Sequence, residues 1–236
     1  MKRLGVNIDH VATVRNARGS FHPDPFTIAK HVTKCGAHSV TIHLREDRRH
    51  IKDADVVKIC KNKKIITNLE ISLNKKIINI ALKNKPNFIC IVPEKRKEVT
   101  TEGGLNLIKN KKKIKAIISL FNKKNIRTSL FVDPTLKDIK IAKELKATCV
   151  ELHTGKISNL IKENKNYKNE YLKIKQCSKL GVKLGIEVHA GHGLDYKTTS
   201  VLSKIKEITE FNIGHFIIGE SLTNGLKKTI KAFKKI

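Results

Sequence analysis

Short apolar runs rich in β-branched residues alternate with longer stretches of helical spacing along the whole chain. The runs fall at Leu4–Val11, Ser39–Leu44, Ile65–Ile71, Asn87–Pro93, Arg127–Asp133, Cys149–Thr154, Lys183–His189 and Phe211–Gly214. Helical stretches lie between them at Pro25–Lys34, Asp53–Asn62, Lys75–Lys85, Leu107–Lys124, Leu136–Leu145, Tyr167–Leu180, Thr198–Ile205 and Leu222–Ile236. Ile114, Ile117, Ile118 and Phe121 show the helical spacing, since i, i+3, i+4 and i+7 share one face. Asp53 and Asn74 stand at two helix starts, where a short polar side chain accepts from free backbone N–H groups. Strands alternating with helices predict parallel β-α-β units. About eight such units favour a closed (β/α)₈ TIM barrel over an open doubly wound sheet. No Gly-x-Gly-x-x-Gly follows the first run, so the open sheet lacks its usual dinucleotide sign.

Length agrees with a single domain spanning residues 1–236, because one such barrel typically takes about 250 residues. No apolar run reaches the roughly 18 residues of a membrane span. The opening Met1–Asn7 lacks the long apolar stretch of a signal peptide, so the expected place is the cytoplasm. The five cysteines, Cys35, Cys60, Cys90, Cys149 and Cys177, form no Cys-x-x-Cys pair, which argues against a disulfide framework or a cysteine zinc site. The net charge of +28 raises the question of nucleic acid. The lysines, however, spread over the polar faces of expected helices, as at 109–115 and 137–146, and aromatics are only 5% of residues. A surface of that kind serves solubility better than base stacking, and it can also draw in anionic substrates.

In a barrel of this type, the C-terminal ends of the strands build the active site. Those ends carry Asn7, Asp9 and His10; His43, Arg45, Glu46 and Asp47; Asn68 and Glu70; Glu94, Lys95 and Arg96; Asp133; Glu151 and His153; His189 and His192; and Asn212, Gly214 and His215. The strand starts are expected to hold no comparable set. Seven of the ten histidines lie at or just past these ends, which suits proton transfer near neutral pH. A metal would also suit histidines, but no His-Glu-x-x-His or His-x-His pair is present. Ala190-Gly191-His192-Gly193 and Asn212-Ile213-Gly214-His215 follow the seventh and eighth strands, and a short extra helix is expected at Phe216–Ser221. Loops in those two positions often hold phosphate, because glycine lets N–H groups approach and a helix N-terminus favours negative charge.

Several blocks together resemble the pyridoxine 5′-phosphate synthase family. They are Gly5–Gly19, Thr41–Ile51, Asn68–Glu70, Val92–Arg96 with Glu98–Gly104, Glu151–Gly155, Ala190–Leu194 and Asn212–His215, in family order over nearly the full chain. The resemblance implies condensation of 1-deoxy-D-xylulose 5-phosphate with 3-amino-2-oxopropyl phosphate to give pyridoxine 5′-phosphate, phosphate and water. It implies a (β/α)₈ barrel, no metal, no organic cofactor, and a homo-oligomer in which dimers build an octamer. His43 and Glu70 match the family's general bases, His192 its proton donor, and Glu151 a group that stabilises charged intermediates. Asp9, His10, Arg45, His50 and Thr100 would hold the deoxyxylulose phosphate, while Asn7 and Arg18 would hold the amino ketone phosphate. Arg18, in a loop after the first strand, would reach a neighbouring subunit's site. Gly193, Gly214 and His215 would cradle phosphate. The chain departs from the family at His189, where asparagine is common, and in the lysine- and asparagine-rich segment 156–171.

Two other functions stay open at this point. A different phosphosugar aldolase or isomerase on the same barrel would share the phosphate loops. Such an enzyme often uses a Schiff-base lysine inside a strand, and only Lys183, at a strand start, comes near that position. A non-enzymatic nucleic-acid binder would need a continuous basic stripe with stacking aromatics.

Overall fold

The computed structural model describes residues 2–94 and 103–236. Eight parallel strands run in sequence order: β1 (Arg3–Asn7), β2 (Ser39–His43), β3 (Thr67–Ile71), β4 (Phe88–Ile91), β5 (Arg127–Val132), β6 (Cys149–His153), β7 (Glu187–Gly191) and β8 (Ile208–Ile213). Each pairs with the next, and β8 pairs with β1, so the sheet closes into a barrel. The helices among the described residues are α1 (Asp9–Arg18), α2 (Pro25–Lys34), α3 (Asp53–Lys61), α4 (Lys75–Asn84), α5 (Lys111–Asn122), α6 (Leu136–Glu144), α7 (Gly155–Lys162), α8 (Lys168–Lys183), α9 (Tyr196–Ser203), α10 (His215–Asn224) and α11 (Leu226–Phe233). This is the expected (β/α)₈ barrel with extra helices.

Alternation along each strand divides the molecule into two environments. Val40, Ile42 and Leu44 join a large apolar layer beneath the helices, to which Val56, Ile59, Ile114 and Phe121 contribute from α3 and α5. Burying each such side chain stabilises the fold by about 1.5–3 kcal/mol. The alternate residues, among them Ser39, Thr41, His43, Asn68, Ser129, Glu151 and Asn212, are buried and polar, so the barrel interior is largely hydrophilic. Cys90, Val92 and Phe131 form a small separate apolar group.

Several element boundaries depart from expectation, each for a local reason. The first strand stops at Asn7 instead of running to Val11, because Asn7 Oδ1 accepts from the Asp9 N–H at 2.8 Å and turns the chain. Ile8, Val11 and Ala12 are buried at helical spacing, so the apolar run belongs to the start of α1. Arg18 is consequently the last residue of that helix and not part of a loop. The seventh strand begins at Glu187, since α8 continues through Lys183 and ends before Gly185 at φ 71°. Lys183 is thus helical, and none of the eight strands contains a lysine. The short extra helix expected at Phe216–Ser221 is α10, which starts at His215 and runs on to Asn224, so the last helix, α11, begins only at Leu226, after Gly225 at φ 76°. Segment 156–171 is mostly ordered as α7 and the beginning of α8. Asn74 caps α4 by accepting from the Lys76 N–H at 2.8 Å, as expected. Asp53 is the first residue of α3, and it is Asp55 that accepts from the Lys52 N–H at 2.8 Å.

The strand starts are not bare of charge. Arg3 bonds Glu187 and, at 2.7 Å through Nε, Glu210, while Arg127 reaches Glu187 at 2.6 Å. His189 Nε2 lies 2.8 Å from Glu187 Oε1, beside a register shift in β7. Charges taken from water need such partners, and this network fills the lower barrel where apolar residues would otherwise sit.

Candidate active site

The upper end of the barrel gathers residues from six strands. On the β1–β3 side, Asn7 Nδ2 donates to Asp9 Oδ2 at 2.9 Å, and Asp9 Oδ1 accepts from the His43 N–H at 2.8 Å. His43 and Glu70 are register partners on β2 and β3, with His43 Nδ1 3.5 Å from Glu70 Oε2. Glu94 stands on the other side of the His43 ring, 3.8 Å from Nε2, and an equal distance from Arg45 Nε. His50 lies 5.9 Å from His43 between ring centres. Its carbonyl is held from α1 by Asn16 Nδ2 at 2.8 Å and Arg15 Nη2 at 3.3 Å. Arg15 is fixed in turn by a buried two-point pair with Asp55, at 2.7 and 2.9 Å.

Ligand atoms of Asp9, His43 and His50 come within 4.8 Å of one another, a spacing open to a metal ion. The hydrogen bonds favour another use. His50 Nδ1 accepts from the Ile51 N–H at 2.9 Å, and both Asp9 oxygens already accept. The proton of a neutral His50 therefore sits on Nε2, which makes the ring a donor toward a substrate oxygen.

On the β6–β8 side, Glu151 is buried and accepts from Asn212 Nδ2 at 2.8 Å. Its carboxylate occupies the space above Gly191, where any Cβ would lie 2.0 Å from Oε1. Gly5 makes similar room for Asn212, whose Oδ1 would meet a Cβ at 2.0 Å. Beyond β7 the chain enters the left-handed region at His192, φ 78°. A side chain pays strain there, of order 1–3 kcal/mol, which is common at functional sites. Thr154 Oγ1 fixes the turn by donating to the carbonyls of Gly191 and His192, both at 2.7 Å. The His192 ring rests 4.9 Å from His153, and His153 Nδ1 is 3.7 Å from Asp133 Oδ1. At the β8–β1 side, His215 opens α10 and meets His10 edge-on at 5.1 Å. Gly214 packs against Asn7, and the first turn of α10 has no side-chain cap.

The charges are tuned toward neutrality. Burial, reinforced by the charges of Asp9 and Glu151, holds Glu70 well above the usual carboxylate range, with Arg45 and Asn7 pulling down. Burial pushes Glu151 up to about 7, against His189 and the Asn212 hydrogen bond. Burial lowers His10, His50 and His153 from their ordinary value. Burial, with His153 and Lys162 adding to it, takes His192 down to about 4. Burial would raise Glu94, but the nearby His43 ring, the bond from the Glu46 N–H and the Arg45 charge bring it below its ordinary range. Four neutral imidazoles facing carboxyl groups of raised affinity suit proton transfer near pH 7. His43 Nε2, Arg45 Nε, Glu94 Oε2, His153 Nε2 and Asn212 Oδ1 are buried without a hydrogen-bond partner among the described residues. Each such atom costs about 1–3 kcal/mol, an expense that a bound polar substrate relieves.

Of the expected residues, His43, Glu70, Asn7, Asp9, Arg45 and His50 form one connected group. Glu151, His192 and Gly193 form a second, and His10, Gly214 and His215 a third. Arg18 stands apart, exposed at the end of α1. Thr100, with Lys95 and Arg96, lies outside the described residues. Glu94, His153 and Asn212 are the members that strand-end position had pointed to without a role. A groove of about 720 Å³ at the opposite end, lined by Lys2, Thr199, Lys206 and Phe233 among others, contains none of the rim residues.

A (β/α)₈ barrel with an acid–base rim beside two glycine-bearing loops defines a class of enzymes that act on small anionic substrates. The family model for "Pyridoxal phosphate biosynthesis protein PdxJ" matches residues 4–236, and the chain belongs to that family. It is 92% identical over 236 residues to the pyridoxine 5′-phosphate synthase of Pelagibacter ubique, covering 100% of this chain and 99% of that protein. It is 46% identical over 232 residues to the protein of that name from Zymomonas mobilis subsp. mobilis, covering 98% and 90%. Among solved structures, 3-keto-L-gulonate-6-phosphate decarboxylase from Vibrio cholerae superposes with a TM-score of 0.68 at 14% identity, over 100% of this chain and 97% of that one. At that identity the likeness shows the fold alone.

Proposed function

We infer that this chain is a pyridoxine 5′-phosphate synthase, joining 1-deoxy-D-xylulose 5-phosphate to 3-amino-2-oxopropyl phosphate with loss of phosphate and water. One observation supports this reading above the others. The four acid–base residues assigned by family likeness, His43, Glu70, Glu151 and His192, come from four separate segments and converge at one barrel mouth. The reaction needs an amine to add to a ketone, then dehydration, phosphate loss and a closing carbon–carbon bond. Each step moves a proton at a carbon, nitrogen or oxygen. Glu70 and His43 take protons, since a carboxylate held above its ordinary range is a stronger base than one in water. Glu151, deep beside Asn212, balances positive charge that develops on the substrate nitrogen.

Asp9, His10, Arg45 and His50 surround the deoxyxylulose phosphate, and Asn7 with Arg18 serves the amino ketone phosphate. The uncapped start of α10 at Gly214–His215, with Gly193 opposite, offers N–H groups to a phosphate. A phosphate there places negative charge beside His192 and raises its affinity for a proton. The ring, neutral in the free protein, then becomes the acid for the leaving group. The absence of lysine from all eight strands weighs against a Schiff-base aldolase.

Assembly of copies agrees with exposed apolar side chains at Val14, Phe21 and Leu222, on α1, the turn after it and α10. A cytoplasmic setting agrees with five free thiols, and no helix among the described residues is long and apolar enough to cross a membrane. In a fluorescence assay for pyridoxine 5′-phosphate, the protein should form product only with both substrates. Glu70→Gln should lower kcat by about 10²-fold or more with little change in phosphate binding. Near wild-type turnover of that variant would remove Glu70 from the mechanism.

A further inference from the structure

Lys162 is the last residue of α7, in the lysine- and asparagine-rich segment where the chain departs from its family. Other lysines of that segment are paired with carboxylates, Lys156 with Glu170 at 3.2 Å and Lys165 with Glu163 at 2.6 Å. Lys162 has no carboxylate partner among the described residues. Its Nζ donates instead to the Gly193 carbonyl at 2.9 Å, in the loop after β7. The side chain therefore turns back along α7, the direction in which helical Cα–Cβ bonds lean. The first turn of α7 meets the same glycine. A Cβ on Gly193 would lie 3.1 Å from Ser158 Cβ and 3.4 Å from Gly155 Cα. The Lys162 charge also reaches His192, where it adds to the burial that lowers the ring's affinity for a proton. An ammonium has three donors and no acceptor, and the Gly193 carbonyl takes one, which leaves two for a ligand. The imidazoles of His10 and His192 are held toward their neutral forms, so the full positive charge at this loop comes from Lys162. A phosphate is bound more tightly by a charged donor than by neutral ones.

We propose that Lys162 is a substrate-phosphate ligand: it keeps its bond to the Gly193 carbonyl and gives its remaining N–H donors to the phosphate cradled by Gly193 and Gly214–His215. The inference rests on the reading that those two loops hold phosphate. Both substrates carry a phosphate, and the loop pair receives one of them, so Lys162 serves one substrate and not the other. The same contact links binding to chemistry. The bound phosphate neutralises the Lys162 charge that opposes a proton on His192.

Calorimetric titration of the full-length protein with inorganic phosphate tests the contact without turnover. Lys162→Met keeps most of the side chain's length but has neither charge nor donor. It should weaken phosphate binding by about 10-fold or more, the scale of one hydrogen bond to a charged group. Lys162→Arg should retain most of the affinity. Lys165→Ala removes an equal charge further along the chain and should change the affinity little, because salt screens exposed charges at a distance. In steady-state kinetics Lys162→Met should raise the KM of one phosphorylated substrate by a similar factor, while the other KM and kcat move less. An unchanged thermal midpoint shows that the variant folds, and Lys162→Gln carries the test if Lys162→Met does not. Wild-type affinity in the folded variant, an equal loss in Lys165→Ala, a loss no smaller in Lys162→Arg, or an equal rise in both KM values overturns the assignment. Phosphate seen between the two loops in wild-type crystals, with undiminished affinity in the variant, overturns Lys162 alone. Phosphate found only elsewhere in those crystals overturns the loop reading along with it, so the two failures are told apart.

Discussion

Replacing Glu151 with glutamine removes one charge from the barrel interior and little else. A glutamine oxygen in the same place still accepts from Asn212 Nδ2, and the space above Gly191 is unchanged. In the folded protein burial raises this carboxyl from 4.5 to about 7. At about 1.4 kcal/mol per pH unit, that rise makes the ionised form unfavourable by about 3 kcal/mol. Between these two values the native state holds a proton that the unfolded chain has released. Stability therefore falls as pH rises through the window, and the full cost is present above pH 7. Glutamine has no such cost. Urea unfolding of both substrate-free proteins should show near-equal stability close to pH 4.5, and a variant more stable by about 3 kcal/mol at pH 8. Turnover by the variant should drop at the same time, which would mark Glu151 as a residue kept for chemistry at the expense of stability. Parallel stability profiles from pH 5 to pH 8 would refute the reasoning, because they would mean that Glu151 is no harder to ionise in the barrel than in water.

Other outcomes follow from the same geometry. Gly191→Ala puts a Cβ on the Glu151 carboxylate, so it should cost about 1–3 kcal/mol and reduce kcat, with stability recovered in the Gly191→Ala/Glu151→Ala double variant. Arg15→Ala leaves Asp55 buried without its partner and should destabilise by about 3 kcal/mol in thermal unfolding, while freeing the His50 carbonyl and raising KM. Sulfate soaked into crystals should occupy the space between Gly193 and Gly214–His215, and density only elsewhere would remove those loops from the phosphate assignment. Mixed Arg18→Ala and Glu70→Gln subunits, each inactive alone, should regain partial activity if sites are shared between copies, and proven exchange without recovery would place Arg18 outside the site.

The barrel was legible because each strand alternates with an amphipathic helix, and the outward strand residues are plainly apolar. What the pattern did not reveal was α1. Ile8, Val11 and Ala12 continue the apolar run of β1, and only the side chain of Asn7, bonding two residues ahead, turns the chain into a helix. That turn brings Asp9 and His10 into the first helical turn, where Asp9 can reach the His43 backbone. The candidate acid–base residues were picked out by strand-end position and family likeness. Their electrostatic state was not, since the neutral His192 and the raised Glu151 depend on burial and on neighbours far away in sequence, such as His153, His189 and Asn212. The charged lower barrel went unnoticed for a similar reason. Arg3, Arg127, Glu187 and Glu210 are scattered single residues in the sequence, and only ring closure unites them.

One barrel mouth that joins two phosphorylated substrates by proton transfer must consume them together. Phosphorus NMR on the wild-type protein with both substrates tests it most directly. Both substrate resonances should decline together, replaced by inorganic phosphate and pyridoxine 5′-phosphate in a one-to-one ratio, with neither substrate consumed alone. Turnover of a single substrate in the absence of the other, or phosphate release without the ring product, would contradict it.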